Sequence, residues 1–158
     1  LFGLKKAKGE ILGWTHADLQ TDISDVIRGF NIYEKELNKK TCIVKGERKN
    51  RNIIDSFFTF SMGVYSSVLL GKWLYEINAQ PKIFHKSFVK KFKNPPLDFS
   101  LDLYILYFFI SKQIEIKTFP VFFKKRLFGK AKGGGTFKGK LRLIKRTLHY
   151  IHFLKKTL

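Results

Sequence analysis

A short apolar run, Ile11 to Trp14, leads directly into His16, Asp18, Gln20 and Asp22. So short a run, closed by polar side chains, reads as a buried strand over 10–16. Asp22 or Ser24 can then cap a helix running to about Leu37, with Val26, Ile27, Phe30, Tyr33 and Leu37 on one face. Asn38, Lys39 and Lys40 make a turn, and residues 41–46 are a second β-prone run, ended by Gly46. Strand, helix, strand in that order predicts an α/β fold with part of a parallel sheet.

The polar cluster after Trp14 falls where such a sheet would use it. Open α/β sheets take ligands beyond the carboxyl ends of their strands. If the strand continues, side chains 16, 18 and 20 share a face, because strand side chains alternate. An imidazole, a carboxylate and an amide oxygen together suit magnesium or manganese bound to a phosphate-bearing substrate. A strand end followed by a helix cap explains the same residues without a metal.

Composition narrows the classes. With 158 residues, 44% of them hydrophobic, the chain can build one domain with a real core and is not wholly disordered. A single cysteine, Cys42, excludes an internal disulfide. The first residues, Leu1 to Lys6, carry no long apolar run behind their charges, so no signal peptide is expected there. Lys and Arg number 31 against 12 Asp and Glu, a net charge of +19 that draws polyanions: nucleic acid, anionic lipid or phosphorylated substrates.

Further along, residues 53–71 are apolar over about 18 positions but broken by Asp55, Ser56, Thr59, Ser61, Ser66 and Ser67. That is close to the ~20 residues of a membrane span. The interruptions favour a helix lying on the core or in a membrane interface. Asn94-Pro95-Pro96 breaks the chain, and Asp98 and Ser100 open a helix over about 100–112. Glu115 to Phe123 reads as a strand. From Lys138 the chain is a basic amphipathic helix, with Leu141, Ile144, Leu148 and Ile151 at helical spacing and no acidic residue after Glu115. Such a helix suits an anionic membrane surface or packing on the domain.

Several of these segments resemble the family 2 glycosyltransferases, in the branch similar to dolichyl-phosphate mannose synthase. The metal signature of that family reads Asp-Ala-Asp-Leu-Gln, followed by another Asp. Ala17, Asp18, Leu19, Gln20 and Asp22 match it, with His16 in place of the first Asp. Gly46, Arg48 and Arg51 match a Gly-x-Arg-x-x-Arg segment that lies near phosphate groups. Phe119-Pro120-Val121 is family-like. Arg126, Gly129 and Lys132 match Arg-x-x-Gly-x-Ser-Lys, with Ala131 in place of Ser. These segments keep the family's order over nearly the whole chain.

The resemblance implies an incomplete GT-A-type, Rossmann-like sheet with flanking helices. Residues 1–137 would be a partial catalytic domain and 138–158 a basic C-terminal helix. It implies a hexosyltransferase that moves sugar from a nucleotide-sugar donor to a polyprenyl-phosphate or glycan acceptor, as in cell-envelope polysaccharide synthesis. Asp18, His16 and Gln20 would hold a magnesium or manganese ion. Arg48, Arg51, Arg126, Lys132 and Gly129 would face donor or acceptor phosphate, a task suited to arginine's planar fork. Asn78 and Gln80, in a strand-edge loop, would contact the acceptor. Asp102 and Asp98 are the candidate catalytic carboxylates, since a neutral hydroxyl acceptor needs a base and an ionised phosphate does not. Helix capping accounts for both carboxylates equally well. The family's first half, with its donor-base contacts, has no counterpart here, so this chain alone is expected to be inactive. The expected location is the cytoplasmic face of a membrane, held peripherally, with no nucleic-acid partner. The competing reading is a non-catalytic basic module that binds nucleic acid or an anionic membrane surface.

Overall fold

The structure, a computed structural model, describes residues 1–16, 20–36, 41–50, 52–124 and 137–157. Helices α1 (Phe2–Lys6), α2 (Ser24–Glu34), α3 (Ile53–Leu70), α4 (Leu101–Ser111) and α5 (Phe137–Lys156) alternate with strands β1 (Ile11–Trp14), β2 (Cys42–Lys49), β3 (Lys82–His85) and β4 (Glu115–Phe122). The fold is mixed α/β: a four-stranded sheet in the order β1-β3-β2-β4 with flanking helices.

The strand directions depart from a purely parallel sheet. β2 and β4 pair in parallel along their whole length, from Cys42 opposite Glu115 to Lys49 opposite Phe122. β3 lies between β1 and β2 and is antiparallel to both. β1 and β2 therefore run the same way, as strand-helix-strand order predicts, but they are not neighbours. The stretch expected to be an edge loop ends in an inner strand. Ile83 and Phe84 are buried on opposite faces, and four residues are too few to show a strand period in sequence.

One face of the sheet, with Leu12, Ile43 and Phe84, packs under α4 and α5 in the larger core. That core is rich in aromatics: Phe84 meets Phe88, Phe92 and Phe109, with ring centroids 5.3–6.4 Å apart. The other face, with Cys42, Val44, Ile83, Phe119 and Val121, holds Tyr33 of α2. α2 sits close because Gly29 has no side chain: a Cβ there would lie 2.8 Å from the Ile83 side chain. α3 starts at Asn52, whose side chain accepts from the Ile54 amide, and ends at Gly71 in the left-handed region. It runs beside α5, where the Tyr65 hydroxyl lies 3.0 Å from His152 Nε2. Only Gly63, Ser66 and Leu70 of α3 are buried.

Candidate functional site at the strand ends

Because β1, β2 and β4 run the same way, their carboxyl ends meet at one edge of the sheet. β3 begins at that edge, with Lys82 opposite Trp14 on one side and opposite Lys45 on the other. Two lysines thus face each other across the inner strands, on the face that elsewhere carries Ile43 and Phe84. Lys82 is 0% exposed and Lys45 is 2% exposed. Like charges directly opposite each other destabilise a sheet, and buried charges need partners. The partners come from the loop before β3. Lys45 Nζ donates to the carbonyls of Tyr75 and Glu76, each at 3.1 Å. Lys82 Nζ donates to the Ile77 carbonyl at 2.9 Å and to Asp102 Oδ1. The Lys82 ammonium also stands over the Trp14 ring, 5.4 Å from its centroid.

Arg48 holds the same loop. Its Nε donates to Glu76 Oε2 at 2.7 Å and its Nη2 to Oε1 at 3.3 Å, a forked pair that is nearly buried. Glu76 takes a left-handed backbone, φ +50°, a conformation that costs a non-glycine residue energy and needs its surroundings to hold it. The arginine expected to bind phosphate thus gives two of its five side-chain N–H donors to a carboxylate. Gly46 allows the approach. Its N–H donates to the Pro81 carbonyl at 2.9 Å, and a Cβ at this position would lie 2.4 Å from the Gln80 carbonyl oxygen.

Burial pushes the Lys45 amine down from the usual 10.5 to about 7, with Lys82 adding to the shift and Glu76 opposing it. Burial also pushes the Lys82 amine down, against the pull of Asp102. For both amines the leading cause is the loss of surrounding water, not a neighbouring charge.

Asp102 lies in the first turn of α4 and is buried. Lys82 takes one carboxylate oxygen, and Gln80 Nε2 donates to the other at 3.1 Å. The Gln80 Oε1 is buried with no partner among the described residues. Asp98 has a different setting. It accepts from the Ser100 amide at 2.9 Å and pairs with Arg146 of α5 at 3.1 Å. That places Asp98 in the surface between α4 and α5, apart from the strand ends. Asn78 lines a small cleft with Thr59, Met62, Ser100 and Thr147. A second cleft of about 220 Å³ opens between α3 and the loop, lined by Arg48, Glu76, Ser56, Thr59, Trp73 and Tyr75.

On the far side of β2, the His16 ring stands edge-on to Phe123 at 6.3 Å, and the Arg48 guanidinium lies 6.0 Å from the same ring. Gln20 exchanges two hydrogen bonds with Lys124, one from each residue. Asp22 is held down at about 2 by the Ser24 amide, with Lys124 adding to it at 3.0 Å. His16 and Gln20 therefore lie at the same edge as Arg48. Asp18, Arg51, Arg126, Gly129 and Lys132 lie outside the described residues. Among the described residues no three His, Cys, Asp or Glu side chains gather to hold a metal ion.

No protein-family model and no curated protein matches this chain. Its function must be argued from the strand-end cluster itself. Lys45, Lys82 and Glu76 are the residues that sequence reasoning missed. The signal was a lysine at the end of the apolar run Cys42-Ile43-Val44 and another beside Ile83-Phe84. Each is a cation where a strand should be greasy.

Proposed function

We propose that the chain is part of a glycosyltransferase catalytic domain, with an incomplete GT-A-type sheet and Asp102 as the base. The observation that supports this most is a buried carboxylate held through both oxygens at the edge where β1, β2 and β4 end. Such an edge is where open α/β sheets act on ligands. Asp102 would take a proton from the acceptor hydroxyl. The donor nucleotide-sugar would lie toward His16 and Gln20, with Arg126, Lys132 and Arg51 answering its phosphates. A magnesium or manganese ion on Asp18, His16 and Gln20 would neutralise the donor diphosphate. The imidazole and amide donors at positions 16 and 20 have the chemistry for such an ion. The test is Asp18→Ala and Asp102→Asn in the intact protein that carries this chain. Sugar transfer and its metal dependence are expected to fall by at least about 100-fold; unchanged rates in both variants would sink the reading.

A second reading, compatible with the first, is attachment to an anionic membrane surface, with or without catalysis. α3 is long and apolar enough to cross a membrane by length and composition, and few of its residues are buried, unlike the core helix of a soluble protein. Ile53, Phe57, Phe60 and Val68 are exposed along it. Beside it, α5 exposes Lys138, Arg142, Lys145, Lys155 and Lys156. Apolar side chains next to cations suit the lipid headgroup boundary. Flotation with vesicles containing anionic lipid is expected, and equal flotation with neutral vesicles would remove the electrostatic part. Binding to generic DNA with a steep salt dependence and no sugar transfer would favour the nucleic-acid module instead.

A further inference from the structure

Asp102 is not held by its own helix. The remainder of α4 is apolar, with Leu103, Ile105, Leu106 and Phe109 buried in the core. The polar grip comes from two residues two positions apart, Gln80 and Lys82. Each takes one carboxylate oxygen. Lys82 has three N–H donors and three directions to satisfy: Asp102, the Ile77 carbonyl and the Trp14 face. Its position is set by register, because Lys82 stands directly opposite Trp14, two residues before His16. The ammonium therefore bridges the tip of β1 and the start of α4. The two contacts fix the orientation of the carboxylate, and each oxygen keeps a second lone pair with which to take a proton.

We infer that Lys82 is a positioning residue, with Gln80 as its second arm, and that the two aim the Asp102 carboxylate at a neutral hydroxyl of the acceptor. The inference rests on reading Asp102 as the base. It also narrows the acceptor class. The hydroxyl proton goes to Asp102. The hydroxyl oxygen bonds the anomeric carbon as the bond from that carbon to the donor's diphosphate oxygen breaks, and the electron pair leaves on the diphosphate. A phosphate acceptor is already ionised and would leave the tether without work to do. The acceptor is thus a glycan or alcohol hydroxyl. Lys82 is fully buried, so it would act only through Asp102.

The experiment measures steady-state sugar transfer by the intact protein carrying this chain, with melting curves on every variant. Lys82→Met is expected to lower kcat by about 100-fold or more with the donor KM within about twofold, and Gln80→Met by about tenfold. Lys82→Arg is expected to recover most of the rate. In an Asp102→Asn background, Lys82→Met should cost nothing further in kcat, because its partner is already disabled. A Lys82→Met protein that melts earlier but keeps its kcat would reduce the pair to a structural staple and overturn the inference. Full additivity in the Asp102→Asn background would do the same, as would efficient transfer to a lipid phosphate that ignores Lys82. If Lys82→Met does not fold, Gln80→Met decides, and a wild-type kcat there overturns the inference. A wild-type protein that transfers no sugar to any acceptor defeats the parent reading, and the inference falls with it.

Discussion

Two regions of this molecule reverse the usual partition of side chains, and they reverse it in opposite senses. At the strand ends charged groups are buried: Lys45, Lys82, Arg48, Glu76 and Asp102. Along α3 large apolar groups are exposed, with Ile53 at 85% and Val68 at 76%. The buried charges are answered inside the chain, donor by donor: three backbone carbonyls, two carboxylates and an aromatic face. One side of α3 is closed, with Met62, Leu69 and Leu70 on the core and Ser67 Oγ accepting from the Leu74 amide, while Ile53, Ile54, Phe57, Phe60 and Val68 stay exposed. A cluster that closes on itself holds its own geometry. A face that stays open is a candidate for contact outside the chain.

Opening the closed region should have the largest effect. Asp102→Leu would leave the Lys82 ammonium buried against an apolar side chain. Removing one member of a buried pair typically costs about 3–5 kcal/mol, so a shift of that size is expected in urea unfolding. The Lys82→Met/Asp102→Leu double variant should recover most of it, because neither charge is then stranded. A double variant as unstable as the single one would show that packing, not charge, sets the cost.

Next in size is the response to pH. Lys45 titrates near 7 when folded, against 10.5 as an ordinary lysine. Between those values the unfolded chain binds a proton that the native chain does not. Stability should therefore rise with pH across the window, be lowest below about 7 and be fully regained above about 10.5. At 1.36 kcal/mol per unit the ceiling is roughly 5 kcal/mol, and local relaxation should leave about 2–3. Lys82 shifts in the same direction through burial, so Lys45→Met should flatten part of the rise without abolishing it. Denaturation midpoints from pH 6.5 to 10 check this; a midpoint that falls over the range would contradict the burial of both amines.

Smaller again is the effect of Gly46→Ala. The added methyl would sit 2.4 Å from the Gln80 carbonyl oxygen, and backbone cannot swing aside as a side chain can. A loss of about 1–3 kcal/mol is expected. The same shift would move Gln80 off Asp102, so the loss of rate should exceed that from a surface variant of equal stability.

How much of this was legible in the sequence depended on the range of the interaction. The apolar runs over 100–112 and 53–71 correspond to α4 and α3, and the strand read over Glu115 to Phe123 corresponds to β4. These signals are local. β3 is not legible as a strand, because Lys82–His85 is too short to show a period and follows Pro81. The strand-end pairs were not legible at all. Arg48 meets Glu76 across 28 residues and Lys45 meets the same loop across 30–31. Both follow from the antiparallel register of β3, which no local pattern encodes. Asp102 was identifiable as a first-turn acid, and so was Asp98. Only the neighbours, Lys82 and Gln80 for the one and Arg146 for the other, separate them.

The smallest effect on stability belongs to the open region. Phe57→Ser and Val68→Ser replace side chains that are 66% and 76% exposed. Little burial is lost, so the unfolding free energy should change by no more than about 0.5 kcal/mol. The binding readout should move far more. Each large apolar side chain that enters the headgroup boundary contributes roughly 1.5–3 kcal/mol when fully buried, so the double variant should weaken attachment to anionic vesicles by about tenfold or more. Added salt should weaken the wild type through α5, while leaving the ratio between wild type and variant nearly constant, because the lost contribution is apolar. A ratio that collapses in salt would mean that α3 does not enter the lipid and that the cations of α5 act alone. The open face would then be as self-contained as the buried cluster, and the contrast between the two regions would disappear.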